Sequence, residues 1–273
     1  MFFDLRTEES AKRFIQSLLE TSKEEPIYDA LFNSNSDFEP SYEDIVGTLP
    51  TKDIDLANIS LLGTHVLGSL DKCREISKRG LMGLRQVLAG KTILASALKR
   101  YGIVINPHKK TLRFENSLYD LDYNHVGYAH TSYGDNPALQ HIAYRICRDS
   151  GLTAFLYSPS FETYGTDIHK RPEILKDLAE FLPEARKLER LWSHYSKPYK
   201  VVFWASLNQV DAATFNETNL KVESLSQPQK DRIIRRMTNN ALLRSQNRLQ
   251  ESYLYIKPEV TIPNSQLISI DSL

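Results

Sequence analysis

Ile59-Ser60-Leu61-Leu62-Gly63-Thr64-His65 is a short apolar run that closes on a glycine and two polar residues. Its composition and length predict a buried strand from Ile59 to Leu62 running into Gly63-Thr64-His65. A helix is expected next. Ser69 can cap it, Leu70, Cys73 and Ile76 share one face, and Gly80 suits a left-handed stop. A second helical stretch spans about residues 84–100. Gly102-Ile103-Val104-Ile105-Asn106 and Thr111-Leu112-Arg113-Phe114 then read as a hairpin around Pro107-His108-Lys109-Lys110.

The later chain continues this mixture. His125 to Ser132 is extended by its β-branched and aromatic content. Asn136-Pro137 opens a helix, with Leu139, Ile142, Ala143, Ile146 and Cys147 as its apolar face. Ala154-Phe155-Leu156-Tyr157 and Val201-Val202-Phe203-Trp204-Ala205 read as buried strands, with helices from Pro172 and past Pro183 between them. A basic helix follows over about Pro228 to Leu249, then strands at Tyr253-Leu254-Tyr255-Ile256 and Leu267-Ile268-Ser269-Ile270. Strands and helices mix without regular βαβ alternation, which predicts an α+β fold.

Residues 1–50 read as an acidic, helical N-terminal extension, with Phe14, Ile15, Leu18 and Leu19 on one side of a helix from Glu8 to Thr21. Residues 51–273 form the expected main domain. The 273 residues hold 34 Lys+Arg and 34 Asp+Glu, but the zero total is a sum of opposed blocks. Residues 1–70 carry 13 acidic and 5 basic side chains, residues 71–113 carry 11 basic and 2 acidic, and residues 221–248 carry 7 basic and 2 acidic. Polyanion binding needs clustered cations rather than a positive total. Tyr101, Phe114, Tyr119 and Tyr253 are interleaved with the basic blocks as candidate base-stacking groups. The acidic N-terminal segment is expected to cover the basic surface or to hold a protein partner.

Several classes are disfavoured. No run approaches 18 apolar residues, so no membrane span is expected. The start Met1-Phe2-Phe3-Asp4-Leu5-Arg6 lacks the basic and apolar pattern of a signal peptide. Cys73 and Cys147 read as buried thiols, and the cytoplasm is the expected compartment. Ala89-Gly90-Lys91-Thr92 is not a phosphate-binding loop, because Arg85 stands where the first glycine belongs. Neither G-x-G-x-x-G nor G-x-S-x-G occurs. His125, His130 and His141 with Asp135 have no recognised metal-ligand spacing, so no metal is expected.

The distributed pattern that remains has three parts. The first is Gly63-Thr64-His65 with Ile76 and Gly80-Leu81. The second is Tyr128, His130, Ser132 and Tyr133 ending at Asn136-Pro137. The third is Gln250-Glu251-Ser252-Tyr253-Leu254. In this order the parts resemble the ADP-ribosyltransferase superfamily, most nearly its DarT-type toxins, over about residues 59–149 and 244–270. The resemblance implies a split antiparallel β-sandwich flanked by helices, with NAD as co-substrate and ADP-ribose transferred to a nucleic acid base, RNA or DNA. It further implies a bacterial toxin or anti-phage defence effector, with an antitoxin as one partner. Gly63, Thr64, His65, Tyr128, Ser132 and Tyr133 would bind NAD, and Glu251 would be catalytic. Ser252 stands between Glu251 and the Tyr253-Leu254 pair, where the family's glutamate is usually adjacent, so Glu259 is the alternative carboxylate. Arg232, Arg235 and Arg236 are the candidate substrate-binding cations. Arg79, Arg85 and Arg113 are candidates for a pyrophosphate. A non-catalytic nucleic-acid-binding protein is the alternative reading. In it Glu251 is a solvated edge-strand acid and Thr64-His65 simply ends a strand.

Overall fold

The computed structural model describes residues 1–22, 54–122, 137–160 and 167–273. The fold is α+β. Among the described residues, eight α-helices accompany a six-stranded sheet, in which β8-β6-β2-β7-β9 are neighbours and β1 pairs with β2, and a separate three-stranded sheet, β3-β4-β5. The strands are β1 (Phe2–Phe3), β2 (Ser60–Ser69), β3 (Ile103–Asn106), β4 (Thr111–Phe114), β5 (Ser117–Asp120), β6 (Leu152–Tyr157), β7 (Lys197–Ser206), β8 (Ser252–Ile256) and β9 (Leu267–Ser272). The helices are α1 (Glu8–Ser22), α2 (Arg74–Arg79), α3 (Leu84–Ala89), α4 (Ile93–Arg100), α5 (Pro137–Cys147), α6 (Glu173–Phe181), α7 (Pro183–Tyr195) and α8 (Gln227–Ser245). The β2–β6 pair and the three-stranded sheet are antiparallel, whereas β1 runs parallel to β2.

The chain forms two compact units. The first holds Met1–Thr64, Ala154–Pro159 and Phe203–Tyr255; the second holds His65–Thr153, Ser160–Val202 and Ile256–Leu273. In the first unit, β1 places Phe3 beside Leu61, and α1 packs on α8. Ala11, Phe14, Ile15, Leu18 and Leu19 are buried, one face of a helix with a 3.6-residue period. Thr7 starts that helix: its Oγ1 accepts from the Ser10 N–H (3.0 Å), and the Ser10 Oγ accepts from the Thr7 N–H (3.2 Å). Residues 1–22 are therefore part of the packed first unit.

The second unit has its own core, in which Leu98, Ile103, Leu112, Ile142, Ile146, Leu175, Leu178 and Trp192 are buried together. The expected hairpin is present, with Val104 opposite Arg113. Asn106 shapes its turn, because its Oδ1 accepts from the His108 (3.1 Å) and Lys109 (2.9 Å) N–H groups. A third strand, β5, joins it through a two-residue turn at Glu115-Asn116, where Glu115 has φ +51°.

Three local expectations change. The first long strand does not stop at Gly63-Thr64-His65 but runs to Ser69. The helix after it begins at Arg74, not at Ser69, because Lys72 and Cys73 are left-handed (φ 59° each). Ser69 caps that turn instead, its Oγ accepting from the Cys73 N–H at 2.8 Å. The helical stretch 84–100 is two helices. Thr92 starts the second, its Oγ1 accepting from the Ala95 N–H at 3.1 Å.

Candidate active site in the first unit

Glu251 lies one residue before β8 and is exposed. Its Oε1 accepts from the Ser158 hydroxyl at 3.2 Å, and its Oε2 accepts from the Tyr253 hydroxyl at 2.5 Å. Both donors are neutral, and among the described residues no cation pairs with this carboxylate. Side chains two apart on a strand share a side, and the Tyr253 bond shows that Glu251 follows this rule despite the intervening Ser252. The apolar residues Leu254 and Ile256 alternate with them and are buried.

Aromatic rings line the same side. The Tyr253 ring lies 5.4 Å from that of Phe155 and 6.2 Å from that of Tyr255, the latter pair stacked. Phe155 is the register partner of Thr64. Directly opposed residues share a face, so a row runs from Thr64 through Phe155 and Tyr253 to Glu251. It is buried at one end, where Thr64 and Phe155 are 3% and 4% exposed, and reaches solvent at Glu251. Beyond β6, the Arg244 guanidinium lies 4.5 Å from the Tyr157 ring centroid and donates to the Leu5 carbonyl at 3.1 Å.

The other expected site residues fall in different places. Gly63 is on the opposite side of β2 from Thr64, and a Cβ there would lie 2.7 Å from Leu254 Cδ2 and 3.1 Å from Phe203 Cζ. Its local role is to admit those two side chains. His65 also alternates away from Thr64 and belongs to the second unit. Its Nδ1–H donates to the Thr153 carbonyl at 2.8 Å, and burial lowers its pKa, so the ring is a neutral, backbone-tethered imidazole. Tyr128, Ser132 and Tyr133 lie outside the described residues, as do His125, His130 and Asp135. Glu259 is exposed in the second unit, where its backbone carbonyl accepts from the Gln86 amide at 3.0 Å.

On α8, Arg232 is held by Glu217 through two hydrogen bonds of 2.7 and 3.0 Å, which raise the pKa of the guanidinium. Arg235 is exposed and Arg236 half-buried, and neither is in an ion pair among the described residues. The role of Ser158 had no signal in the sequence. It stands 93 positions before Glu251 and reaches it only because β6 and β8 are neighbours.

His141, Asp177 and Glu180 in the second unit bring potential ligand atoms within 4.8 Å of one another. Asp177 is already ion-paired with Arg145, which also holds Asp149 and Glu173 at 3.0 Å each. Of the three, Asp177 is therefore already engaged by a cation, and no metal is assigned to the group. Among the described residues no helix is long and apolar enough to cross a membrane. Comparison with protein-family models, curated proteins and solved structures returns no match for this chain.

Proposed function

We propose that this protein is an ADP-ribosyltransferase that takes NAD as co-substrate and modifies a nucleic acid base, with Glu251 as the catalytic carboxylate. The observation that carries the proposal is an exposed carboxylate oriented by Ser158 and Tyr253 at the end of an aromatic row. The reaction breaks the bond between nicotinamide and ribose, with the electron pair leaving on nicotinamide. A base nitrogen or oxygen then forms the new bond to the ribose carbon. Positive charge develops on the ribose as the first bond breaks, and a fixed anion beside it stabilises that charge. Glu251 can also accept the proton released by the attacking base. Tyr253 presents an aromatic face next to this carboxylate, suited to a nicotinamide or a target base. Within this proposal the six-stranded and three-stranded sheets are the ADP-ribosyltransferase-like core, and the protein acts as a toxin or defence effector.

The test is incubation with labelled NAD and RNA or DNA. Label should enter the polymer, and Glu251→Gln, which keeps shape but removes the anion, should abolish it. Label transfer that survives the substitution removes Glu251 from the site. Salt-sensitive binding without any NAD consumption would favour instead a non-catalytic nucleic-acid-binding protein, the reading supported by the exposed cations of residues 72–113.

A further inference from the structure

We infer that the second unit carries a phosphate-backbone-binding surface, built from α2, α4 and the β3–β4 hairpin, that grips nucleic acid without reading its bases. The inference rests on the nucleic-acid target proposed above but not on the transfer chemistry.

Nine of the eleven basic residues in segment 71–113 are exposed. Only one of the eleven, Lys110, is in an ion pair among the described residues, with Asp122. The reason is local. The segment's two acids are committed to backbone N–H groups: Asp71 Oδ2 accepts from the Glu75 N–H at 2.7 Å, and the Glu75 carboxylate accepts from the Ile93 N–H at 3.2 and 3.3 Å. Glu75 thereby caps the start of α4 and ties α2 to it, so the cations of both helices are joined through an acid that neutralises none of them. Arg74 and Lys78 are four apart and exposed on one face of α2. Lys99 and Arg100 stand on α4 opposite the buried Leu94 and Leu98. The hairpin adds Lys109 at its tip and Arg113 on its outward face. Unpaired cations clustered in this way are the electrostatic footprint of phosphate recognition.

The interleaved aromatics set the specificity. Tyr101, Phe114 and Tyr119 are turned toward the core of this unit, and Tyr119 meets Phe181 edge-on at 5.0 Å. Packed against the core and half-buried, these three rings are not free-standing stacking platforms on the described part of this surface. Charge without stacking groups or groove-reading elements binds the backbone and is indifferent to base identity.

The experiment is fluorescence anisotropy on the full chain, without NAD, using labelled 20-nucleotide homopolymers of dA, dT and rU over a salt series. The three should bind within about threefold of one another. If five phosphates are contacted, affinity should fall about a hundredfold between 50 and 200 mM salt. The quadruple variant Arg74→Ala, Lys78→Ala, Lys99→Ala, Arg100→Ala should bind at least tenfold more weakly at low salt and flatten the salt slope by about 3, with an unchanged thermal melt. Unchanged affinity and slope in the quadruple variant overturn the inference, as does a tenfold preference for one homopolymer. Binding to anionic phospholipid vesicles without binding to any oligonucleotide also overturns it. NAD consumption measured without nucleic acid reports on the Glu251 chemistry separately, so failure of one reading is distinguishable from failure of the other.

Discussion

The Tyr253 hydroxyl donates to Glu251 Oε2 at 2.5 Å, across two residues of one extended segment. Because the donor and acceptor are on the same strand side, the strand itself fixes their separation. The carboxylate is held from a second direction by Ser158. Tyr253→Phe keeps the ring and its contact with Phe155 but removes this bond. Under the proposed chemistry, turnover should fall about tenfold, equivalent to about 1.4 kcal/mol, with KM for NAD changed less than twofold. Steady-state kinetics at saturating nucleic acid measure both. An equal loss in KM would place Tyr253 in binding rather than in orienting Glu251.

Gly63→Ala should destabilise the first unit. The added methyl would lie 2.7 Å from Leu254 Cδ2 and 3.1 and 3.3 Å from two Phe203 ring atoms. Overpacking of this kind costs about 1–3 kcal/mol. Urea unfolding should show the loss as a lower midpoint, and an unchanged midpoint would mean that these side chains yield freely.

Residues 1–22 should resist removal. Leu18 is fully buried on α1, which packs against α8. Leu18→Ala is expected to cost about 2–5 kcal/mol, from lost burial and the cavity left behind. Deleting residues 1–22 removes β1 and α1 together and should leave the first unit unfolded by circular dichroism. A native-like melt after the deletion would show that the acidic segment can be detached as a unit.

His65 should make stability fall on acidification. Its folded pKa is lowered by burial from an ordinary value of 6.5, so the unfolded chain takes the proton first as pH falls. The stability associated with the neutral ring is full above 6.5 and declines through the interval down to the lowered folded pKa. His65→Gln should reduce the slope of unfolding free energy against pH between pH 7 and 5. Identical slopes for the two proteins would show that the folded imidazole titrates normally.

Arg145 should be needed for the second unit. It bonds to Asp177, whose side chain is 5% exposed, and to Asp149 and Glu173. Arg145→Ala leaves a buried carboxylate uncompensated, at a cost of about 3–5 kcal/mol. Arg145→Ala combined with Asp177→Leu should recover part of the loss in thermal unfolding, because the buried charge is then gone. No recovery would locate the cost in Asp149 and Glu173.

The strands at 154–157, 201–205 and 253–256 and the helix start at Pro137 were legible in the sequence, because each is signalled by its own residues: apolar runs and a first-turn proline. The helical stretch expected from Pro172 past Pro183 is two helices, divided at Leu182-Pro183. The amphipathic face of α1 was legible for the same reason, as were the charge blocks. The extent of β2 was not. Its polar residues after Gly63 resemble a strand end, yet they continue between neighbouring strands that supply hydrogen bonds and cover. Near the end of β2 even a turn contributes, since the Gly68 N–H donates to the Ile168 carbonyl at 3.0 Å, a partner a hundred positions away.

The candidate site divides in the same way. The family resemblance singled out Glu251, and the interleaving of aromatics with basic blocks singled out Tyr253; their spacing of two lets them meet once both lie on one extended segment. Only the tertiary structure placed Ser158 on that carboxylate, tied His65 to the Thr153 carbonyl, and held Arg232 on Glu217. The sequence alone determined where positive charge accumulates along the chain. The fold decided which of those charges have no ion pair among the described residues, because Asp71 and Glu75 are drawn to backbone N–H groups rather than to neighbouring cations. It also turned Tyr101, Phe114 and Tyr119 inward. Local composition sets what an element is, whereas the partner of each polar group depends on contacts that close only when distant segments pack.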